Sequence, residues 1–418
     1  MQLDTLENYL DNNLHTYLDL LRQMVAINSF TANPEGVNRL GAFTAELFAS
    51  LGFQAEYVQS VNPRYGRHLV LTRQGAQAAL LPSGAPAYPL GMLSHLDTVF
   101  PPEEELRNDF VWRPEGRRIY GPGTVDIKGG TVMMYMVLDA LRQFAPQVFE
   151  KGTWILLLDA SEEALSVDFT RLCLQRLPEN TLACLVFEGG TNSSDIFPLV
   201  VARKGRAAYR VKVEGKSAHA GNFHANGANA ILQMAHTIQK IAALTDYENQ
   251  ITFNVGTVKG GSVVNRVPHY AEAHVEMRAF SPEGFDAGVA AMLALDGTSD
   301  VASADGYRCK VSVELGETTA PWPPNPGTQH LYDLWEQAAN LVGLRLAQEQ
   351  RGGLSDGNLL WGHYPTLDGL GPAGNNAHCS ERAPDGSKEQ EYVYVGSFVP
   401  KALLNTLAIM KLVEGEFR

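Results

Sequence analysis

The spacing of apolar residues divides the first part of the chain into helices and strands. Apolar positions recur every three or four residues over 6–25 and 37–51, which predicts two amphipathic helices, and Gly52 follows the second as a C-terminal cap. Further on, the pattern predicts strands over 68–72, 89–94, 153–158 and 182–187, with helices over 131–144 and 167–177. This alternation is typical of an α/β fold, a mostly parallel sheet with helices on both faces.

The middle of the chain has a different order of elements. The predicted elements are a strand over 207–214, a helix over 226–244, strands over 251–258 and 270–280, a helix beginning at Ser281-Pro282, and a strand over 308–315. This β-α-β-β-α-β order is typical of a four-stranded sheet with two helices. We therefore predict an α/β domain, formed by residues 1–204 and 319–418, into which a smaller α+β domain is inserted at 205–318.

Composition narrows the possible functions. The 418 residues include 33 Lys and Arg against 46 Asp and Glu, a net charge of −13, which argues against a nucleic-acid-binding protein. The four cysteines lie far apart without a CxxC pair, so neither a disulfide framework nor a cysteine-rich zinc site is expected. No uninterrupted apolar run is long enough to span a membrane, and the first residues carry acids and amides rather than the basic start of a signal peptide. We expect a cytoplasmic protein that binds neither membranes nor nucleic acids.

Candidate chemistry lies at the ends of the predicted strands. In Ser94-His95-Leu96-Asp97, the two alternate polar side chains project to one side of a strand, which suits a histidine ligand supported by a carboxylate. The glycine-rich loop at 121–130 holds Asp126 where a dinucleotide-binding loop would need glycine, so that interpretation fails. Taken alone, each feature is also compatible with a helix cap or a solvated loop.

Three further acidic or imidazole positions complete the set. Glu162 and Glu163 follow a strand, and because neighbouring side chains point in different directions, one can bind metal while the other faces the substrate. Glu188 follows another buried run, and His378 lies in a glycine-rich loop. Two imidazoles and three carboxylates suit a pair of divalent ions that share one carboxylate. The predicted metal ligands are His95, Asp126, Glu163, Glu188 and His378.

Seven segments in order resemble the M20 family of metallopeptidases, in particular its glutamate carboxypeptidase branch. They are SHLDTVFP (94–101), GPGTVDIKGG (121–130), SEE (161–163), FEGG (187–190), KSAHAG (216–221), GGSVVNRVP (260–268) and GPAGNNAH (371–378). The resemblance implies a zinc-exopeptidase-like fold with two zinc ions per subunit, although cobalt or manganese would also suit the ligands. One zinc would be bound by His95 and Glu188 and the other by Glu163 and His378, with Asp126 bridging them.

The resemblance also implies roles for residues outside the metal ligands. Glu162 would be the general base, and Asp97 would support His95. His219 would reach across a homodimer to the scissile carbonyl, with the inserted domain as the dimerisation domain. Asn265 and Arg278 would hold a substrate carboxylate.

The function implied by the resemblance is zinc-dependent hydrolysis of an amide in a small peptide or N-acyl amino acid. A carboxypeptidase that releases a C-terminal amino acid is the first expectation, and an N-acyl amino-acid deacylase is the alternative. The chain departs from the family at residues 164–167, where Gly-Ser is usual, at His224, and over 379–390, which looks longer than usual. These departures concern specificity rather than metal chemistry.

Two other classes of function remain open at this stage. Gly353-Leu354-Ser355-Asp356-Gly357 fits the GxSxG pattern of serine hydrolases and is followed by Asp368 and His378. These residues lie too close together for strands and helices to intervene, and a serine mechanism leaves the other acidic and imidazole matches unexplained. A binding protein that has lost turnover is the other class, but the expected base, Glu162, is present.

Overall fold

A computed structural model describes residues 3–76, 88–166, 168–191 and 196–415. The chain divides into two compact units. The first comprises Met1–Val201, Pro324–Glu349 and Ser355–Arg418, and the second comprises Ala202–Pro323 with Gln350–Leu354. Val167, at the start of one predicted helix, lies outside the described residues.

The first unit begins with the elements that build its main sheet and the helices that cover it. The helices are α1 (Leu3–Val25), α2 (Pro34–Ala49), α3 (Pro102–Arg107), α4 (Lys128–Phe144), α5 (Pro146–Lys151) and α6 (Phe169–Arg176). The strands are β1 (Gln54–Gln59), β2 (Arg67–Arg73), β3 (Pro89–His95), β4 (Arg113–Glu115), β5 (Arg118–Tyr120), β6 (Thr153–Asp159), β7 (Ala183–Val186), β8 (Gly190–Thr191) and β9 (Ile196–Arg203).

The second unit has the predicted β-α-β-β-α-β order. Its elements are β10 (Gly205–Glu214), α7 (Ala230–Ala242), β11 (Thr252–Gly260), β12 (Tyr270–Ala279), α8 (Pro282–Leu293) and β13 (Lys310–Thr319). The strands form an antiparallel sheet in the order β11-β12-β10-β13. Alternate residues of β10 and β12 are buried in an apolar core with residues of α7 and α8, so one sheet face is covered and the other carries charged pairs.

The last part of the chain returns to the first unit. Its elements are α9 (Pro326–Leu341), β14 (Arg345–Arg351), α10 (Gly357–Leu360), β15 (Thr366–Leu367), β16 (Ala373–Asn375), β17 (Tyr392–Tyr394) and α11 (Phe398–Gly415). The six-stranded main sheet has the order β1-β2-β6-β3-β7-β15. Strands β6, β3, β7 and β15 are parallel, while β1 and β2 add an antiparallel edge. The predicted mostly parallel α/β sheet and the inserted α+β fold are confirmed.

Helix α11 is a core helix of the first unit. Its length and apolar composition would also suit a membrane span, but 72% of the apolar window is buried within the protein. Asn405 anchors the helix by two hydrogen bonds, because its side chain accepts from the indole N–H of Trp335 (2.8 Å) and donates to the carbonyl of Leu370 (2.9 Å). This amide therefore joins α9, α11 and the loop that follows β15.

Replacing that amide should destabilise the first unit. Asn405→Leu fills a similar volume but leaves the buried indole N–H of Trp335 and the carbonyl of Leu370 without these partners, at a cost of about 2–5 kcal/mol. Leu403→Met, a volume-conserving change on the same helix, should cost less than about 1.5 kcal/mol. Thermal unfolding of both variants measures the difference. Equal midpoints would show that the Asn405 bonds contribute nothing to stability.

Candidate metal centre

The ends of three adjacent parallel strands form the floor of the candidate site. His95 is the last residue of β3, Asp159 is the last residue of β6, and Glu188 lies two residues beyond β7. Because β6, β3 and β7 are neighbours in this order, their carboxyl ends lie side by side at one edge of the sheet. In open α/β sheets this edge is where ligands bind.

Two glycines allow the loops that carry Asp126 and Glu188 to approach closely. A Cβ atom at Gly130 would lie 2.0 Å from the carbonyl oxygen of Phe187. A Cβ atom at Gly189 would lie 2.4 Å from Val125 Cγ2. Neither contact is possible for a side chain, so glycine is required at both positions.

The two imidazoles face different oxygens of one carboxylate. Nε2 of His95 lies 3.0 Å from Oδ1 of Asp126, and Nε2 of His378 lies 3.2 Å from Oδ2. The same His378 nitrogen is 3.1 Å from Oε2 of Glu163, and Nε2 of His95 is 3.8 Å from Oε1 of Glu188. The structure thus brings all five predicted ligands together, with Asp126 between two His–Glu pairs.

The charges of this cluster perturb one another strongly. Burial opposes the charged form of Asp126, but hydrogen bonds from His378 and His95 hold its pKa below the usual carboxyl range. The carboxylates of Asp126 and Glu163 raise the pKa of His378 to about 11. The pKa of buried His95 is likewise raised, against its burial, by Asp126, Asp97 and Glu188. The carboxylates of the cluster therefore favour a cation bound between them.

The residues present fit divalent metal ions. Ligand atoms of His95, Asp126 and Glu163 all lie within 4.8 Å of one another. Oε1 of Glu163 is buried and has no hydrogen-bond partner among the described residues. Imidazole nitrogen and carboxylate oxygen are the ligands that zinc and related ions accept, and an unpaired buried oxygen is costly unless a cation meets it.

Asp97 supports the site through more than His95. Its Oδ1 lies 3.4 Å from Nδ1 of His95, and that nitrogen donates to the Asp97 carbonyl oxygen (3.0 Å). The same carboxylate accepts the backbone N–H groups of Glu162 (3.1 Å) and Glu163 (3.3 Å), and the hydroxyl of Thr31 donates to it at 2.6 Å. Asp97 therefore orients the imidazole and holds the turn that carries both glutamates.

Glu162 occupies a different environment from Glu163. Burial raises the pKa of the Glu162 carboxyl well above its ordinary value, and the negative charges of Glu188, Asp356 and Glu163 raise it further, while His95 opposes them. The contacts of Glu163 are those of the cluster, to His378 and by charge to Asp126. A carboxyl with a raised pKa beside a cluster of candidate metal ligands is suited to proton transfer.

Two buried carboxylates of this region were missed by the sequence analysis. Glu391 accepts the backbone N–H groups of Val125 (2.9 Å) and Asp126 (3.2 Å), and burial and the nearby Asp126 raise its pKa to about 8. Asp356 is buried within electrostatic range of His95 and Glu188. Its position in GLSDG was the available signal, since that segment was considered only for its serine. Glu391 precedes a short strand, with no comparable signal.

The remaining predicted residues lie in the second unit. His219 is exposed, and its Nδ1 accepts the backbone N–H groups of Gly221 and Asn222, both at 3.1 Å. Asn265 lies on the neighbouring backbone segment, because its carbonyl accepts the N–H of Ala220 (3.0 Å). Arg278, on β12, donates to Glu276 (2.6 Å) and to the carbonyl of Gly352 (2.7 Å).

The geometry does not form a serine triad. The hydroxyl of Ser355 is buried and donates to Asp368 at 2.8 Å. The imidazole of His378 instead faces Asp126 and Glu163. The base that a serine nucleophile needs is therefore engaged in the carboxylate cluster.

Comparisons with known sequences found similarity to a carboxypeptidase and to a deacetylase. Residues 201–294 match the model of the M20 peptidase dimerisation domain. Carboxypeptidase G2 of Pseudomonas sp. is 26% identical over 403 residues, which cover 95% of this chain and 89% of that protein. Acetylornithine deacetylase of Klebsiella pneumoniae is 26% identical over 284 residues, 64% of this chain and 68% of that protein.

Solved structures share the fold over nearly the whole chain. Aminopeptidase PepT of Bacillus cereus has a TM-score of 0.73 at 22% identity and covers 96% of this chain and 99% of its own. An M20 family metallo-carboxypeptidase of Sulfolobus solfataricus has a TM-score of 0.68 at 14% identity, covering 95% and 99%. With the dimerisation-domain match and the full-length relative, these likenesses show that the chain has the fold of M20-family metallopeptidases, hydrolases that act on amide bonds, and resembles them over nearly its whole length.

Proposed function

We propose that this protein is a zinc-dependent carboxypeptidase with two metal ions per subunit. His95 and Glu188 would hold one ion, Glu163 and His378 the other, and Asp126 would bridge them. The observation that carries the proposal is that the two oxygens of Asp126 face two different imidazoles. Ions bound there would supply Lewis-acid polarisation of the substrate carbonyl and acidify a water molecule.

The protein's own residues would handle the proton. Glu162 takes a proton from the attacking water and returns it to the leaving amine nitrogen. Its raised pKa suits this exchange, because a base whose pKa is far below the working pH would release the proton too readily to water. Asp97 keeps the carboxylate in place by holding the backbone N–H of Glu162.

A substrate with a free carboxylate beside the scissile amide fits the second unit. Asn265 and Arg278 would bind that carboxylate, and the 95% coverage of this chain by carboxypeptidase G2 favours release of a C-terminal amino acid. The match to acetylornithine deacetylase supports a second candidate, an N-acyl amino-acid deacylase. Both reactions break an amide bond next to a carboxylate.

The second unit would also form a homodimer. Strand β11 is an edge strand of its sheet, and apolar side chains are exposed on it and nearby, at Ile231, Val258 and Val264. An exposed apolar sheet edge is a surface that another chain can cover. His219 would then act across the dimer, because its Nδ1 accepts two N–H groups and its Nε2 is left to donate a hydrogen bond to the substrate carbonyl oxygen.

We place the enzyme in the cytoplasm. Cys173, Cys184, Cys309 and Cys379 are all unpaired, which suits a reducing compartment.

Removal of metal should abolish activity. A protein dialysed against a chelator should lose hydrolysis of its substrate, and zinc, cobalt or manganese should restore it. Rates are measured on dipeptides, N-acyl amino acids and folyl-type glutamates, so that the same assay separates the carboxypeptidase from the deacylase. Full activity in protein that elemental analysis finds free of metal would refute the proposed metal mechanism.

The adjacent glutamates should respond differently to the same substitution. Glu162→Gln should retain both ions but lose about 10²–10⁴-fold in kcat, because an amide cannot accept the proton. Glu163→Gln should weaken metal binding and lose activity partly by losing metal. Metal content measured beside kcat decides the assignment, and the reverse pattern would exchange the two roles.

Mixing two inactive variants should test the role of His219. His219→Ala should bind metal normally but lose about 10²–10³-fold in kcat, as expected for one donor to a developing oxyanion. When it is mixed with His95→Ala under conditions of subunit exchange, part of the activity should return, since one site of the mixed dimer has both its metals and a histidine from the other chain. If exchange is demonstrated and no activity returns, His219 does not act across the dimer.

A further inference from the structure

A buried imidazole joins the two ends of the connection that carries the glutamate pair. Glu162 and Glu163 lie between Asp159, the last residue of β6, and Asp168, which directly precedes α6. His68, on β2, is buried between these two aspartates: its Nδ1 lies 3.1 Å from Oδ1 of Asp159 and its Nε2 lies 3.3 Å from Oδ2 of Asp168. The imidazole of His68 therefore spans both ends of the connection between β6 and α6.

Further hydrogen bonds close this arrangement into a cycle, here called the hydrogen-bond ring. Its members are His68, Asp159, Ser161, Ser166 and Asp168. The backbone N–H of Ser161 donates to Asp159 (2.9 Å), and the hydroxyl of Ser161 donates to that of Ser166 (3.3 Å). The hydroxyl of Ser166 in turn donates to Oδ1 of Asp168 (3.4 Å). The aspartates and serines of the hydrogen-bond ring thus fix the path of the chain just before and just after the glutamates.

The turn that the hydrogen-bond ring encloses is strained. Leu165 has φ = 60°, in the left-handed region, and its N–H donates to the carbonyl oxygen of Glu162 at 2.9 Å. A leucine stays in this region only when the surrounding contacts hold it there, and such strain is found at functional sites. This is also where the chain departs from the Gly-Ser that is usual in the family.

We propose that His68 is a positioning residue, a clip that joins Asp159 to Asp168 and so holds Glu162 and Glu163 at the metal centre. The proposal rests on the proposed function, because the residues that the clip positions are the proposed base, Glu162, and one proposed metal ligand, Glu163. Nδ1 of His68 also accepts the backbone N–H of Ala160 at 3.2 Å, and Nε2 faces Asp168, so the imidazole holds the chain on both sides of the glutamates. Asp159 and Asp168 raise the pKa of His68 although burial opposes the charge.

The test is His68→Phe, which keeps a ring in the buried site but removes both nitrogens. Titration of the metal-free protein with zinc alone should show affinity reduced about 10–100-fold, as is usual when the partners behind metal ligands are lost. At saturating zinc, kcat should fall about 10–100-fold with KM changed less than about twofold, because the base is displaced and substrate contacts remain. His68→Gln, which reaches only one aspartate, should show the same losses and serves if the phenylalanine variant does not fold.

Val70→Ala is the matched control. Val70 lies two residues along β2 and is as buried as His68. It packs in the apolar cluster that contains Phe169, which the imidazole of His68 contacts, but it belongs neither to the hydrogen-bond ring nor to the proposed active site. It should lower thermal stability while zinc affinity and kcat stay unchanged. Equal zinc affinity and kcat in the folded His68 variants and the wild type, or an equal loss of affinity in Val70→Ala, would overturn the clip.

The two proposals fail separately in this experiment. Glu162→Gln is measured in the same series, and an unchanged kcat in that variant would refute the role of the base. A loss of kcat in Glu162→Gln with none in the His68 variants would refute only the clip.

Discussion

Carboxylates crowd the edge of the main sheet where β6, β3 and β7 end, and their mutual repulsion must be balanced by positive charge. Asp126 lies among these carboxylates, with one oxygen toward His95 and the other toward His378. The raised pKa of His378 follows from this accumulation of negative charge, and the raised pKa of Glu391 follows from its burial together with the charge of Asp126. The proposed pair of divalent cations would provide that charge at the point where the carboxylates converge.

Two of these carboxylates, Glu162 and Glu163, differ in the contacts that they make. Glu162 and Glu163 are identical in type and adjacent in sequence, so their contacts alone distinguish them. Asp97 accepts both of their N–H groups, which aligns the turn. The side chain of Glu163 contacts His378, whereas that of Glu162 feels the negative charges of Glu188 and Asp356. A single buried aspartate thus links the orientation of His95 to that of the glutamate pair.

Sequence alone predicted the parts of the structure that depend on local pattern. The strand ends at His95 and Glu188 and the β-α-β-β-α-β order followed from apolar spacing, because burial on one or both faces leaves a direct periodic signal. The antiparallel edge of β1 and β2 did not, because strand direction depends on partners distant in sequence. For the same reason Glu391 was missed: it lies 265 positions along the chain from Asp126, so no local pattern signals their contact. His68 was read simply as part of an apolar strand, and its aspartate partners lie about 90 to 100 residues away.

The polar sheet face of the second unit carries two arginines that bind one glutamate. There, Glu276 accepts a hydrogen bond from Arg206 on one oxygen and from Arg278 on the other, each at 2.6 Å. Two guanidinium groups share one carboxylate, so the three groups together keep a net positive charge. This arrangement favours an anion, whereas the crowded carboxylates of the first unit favour cations.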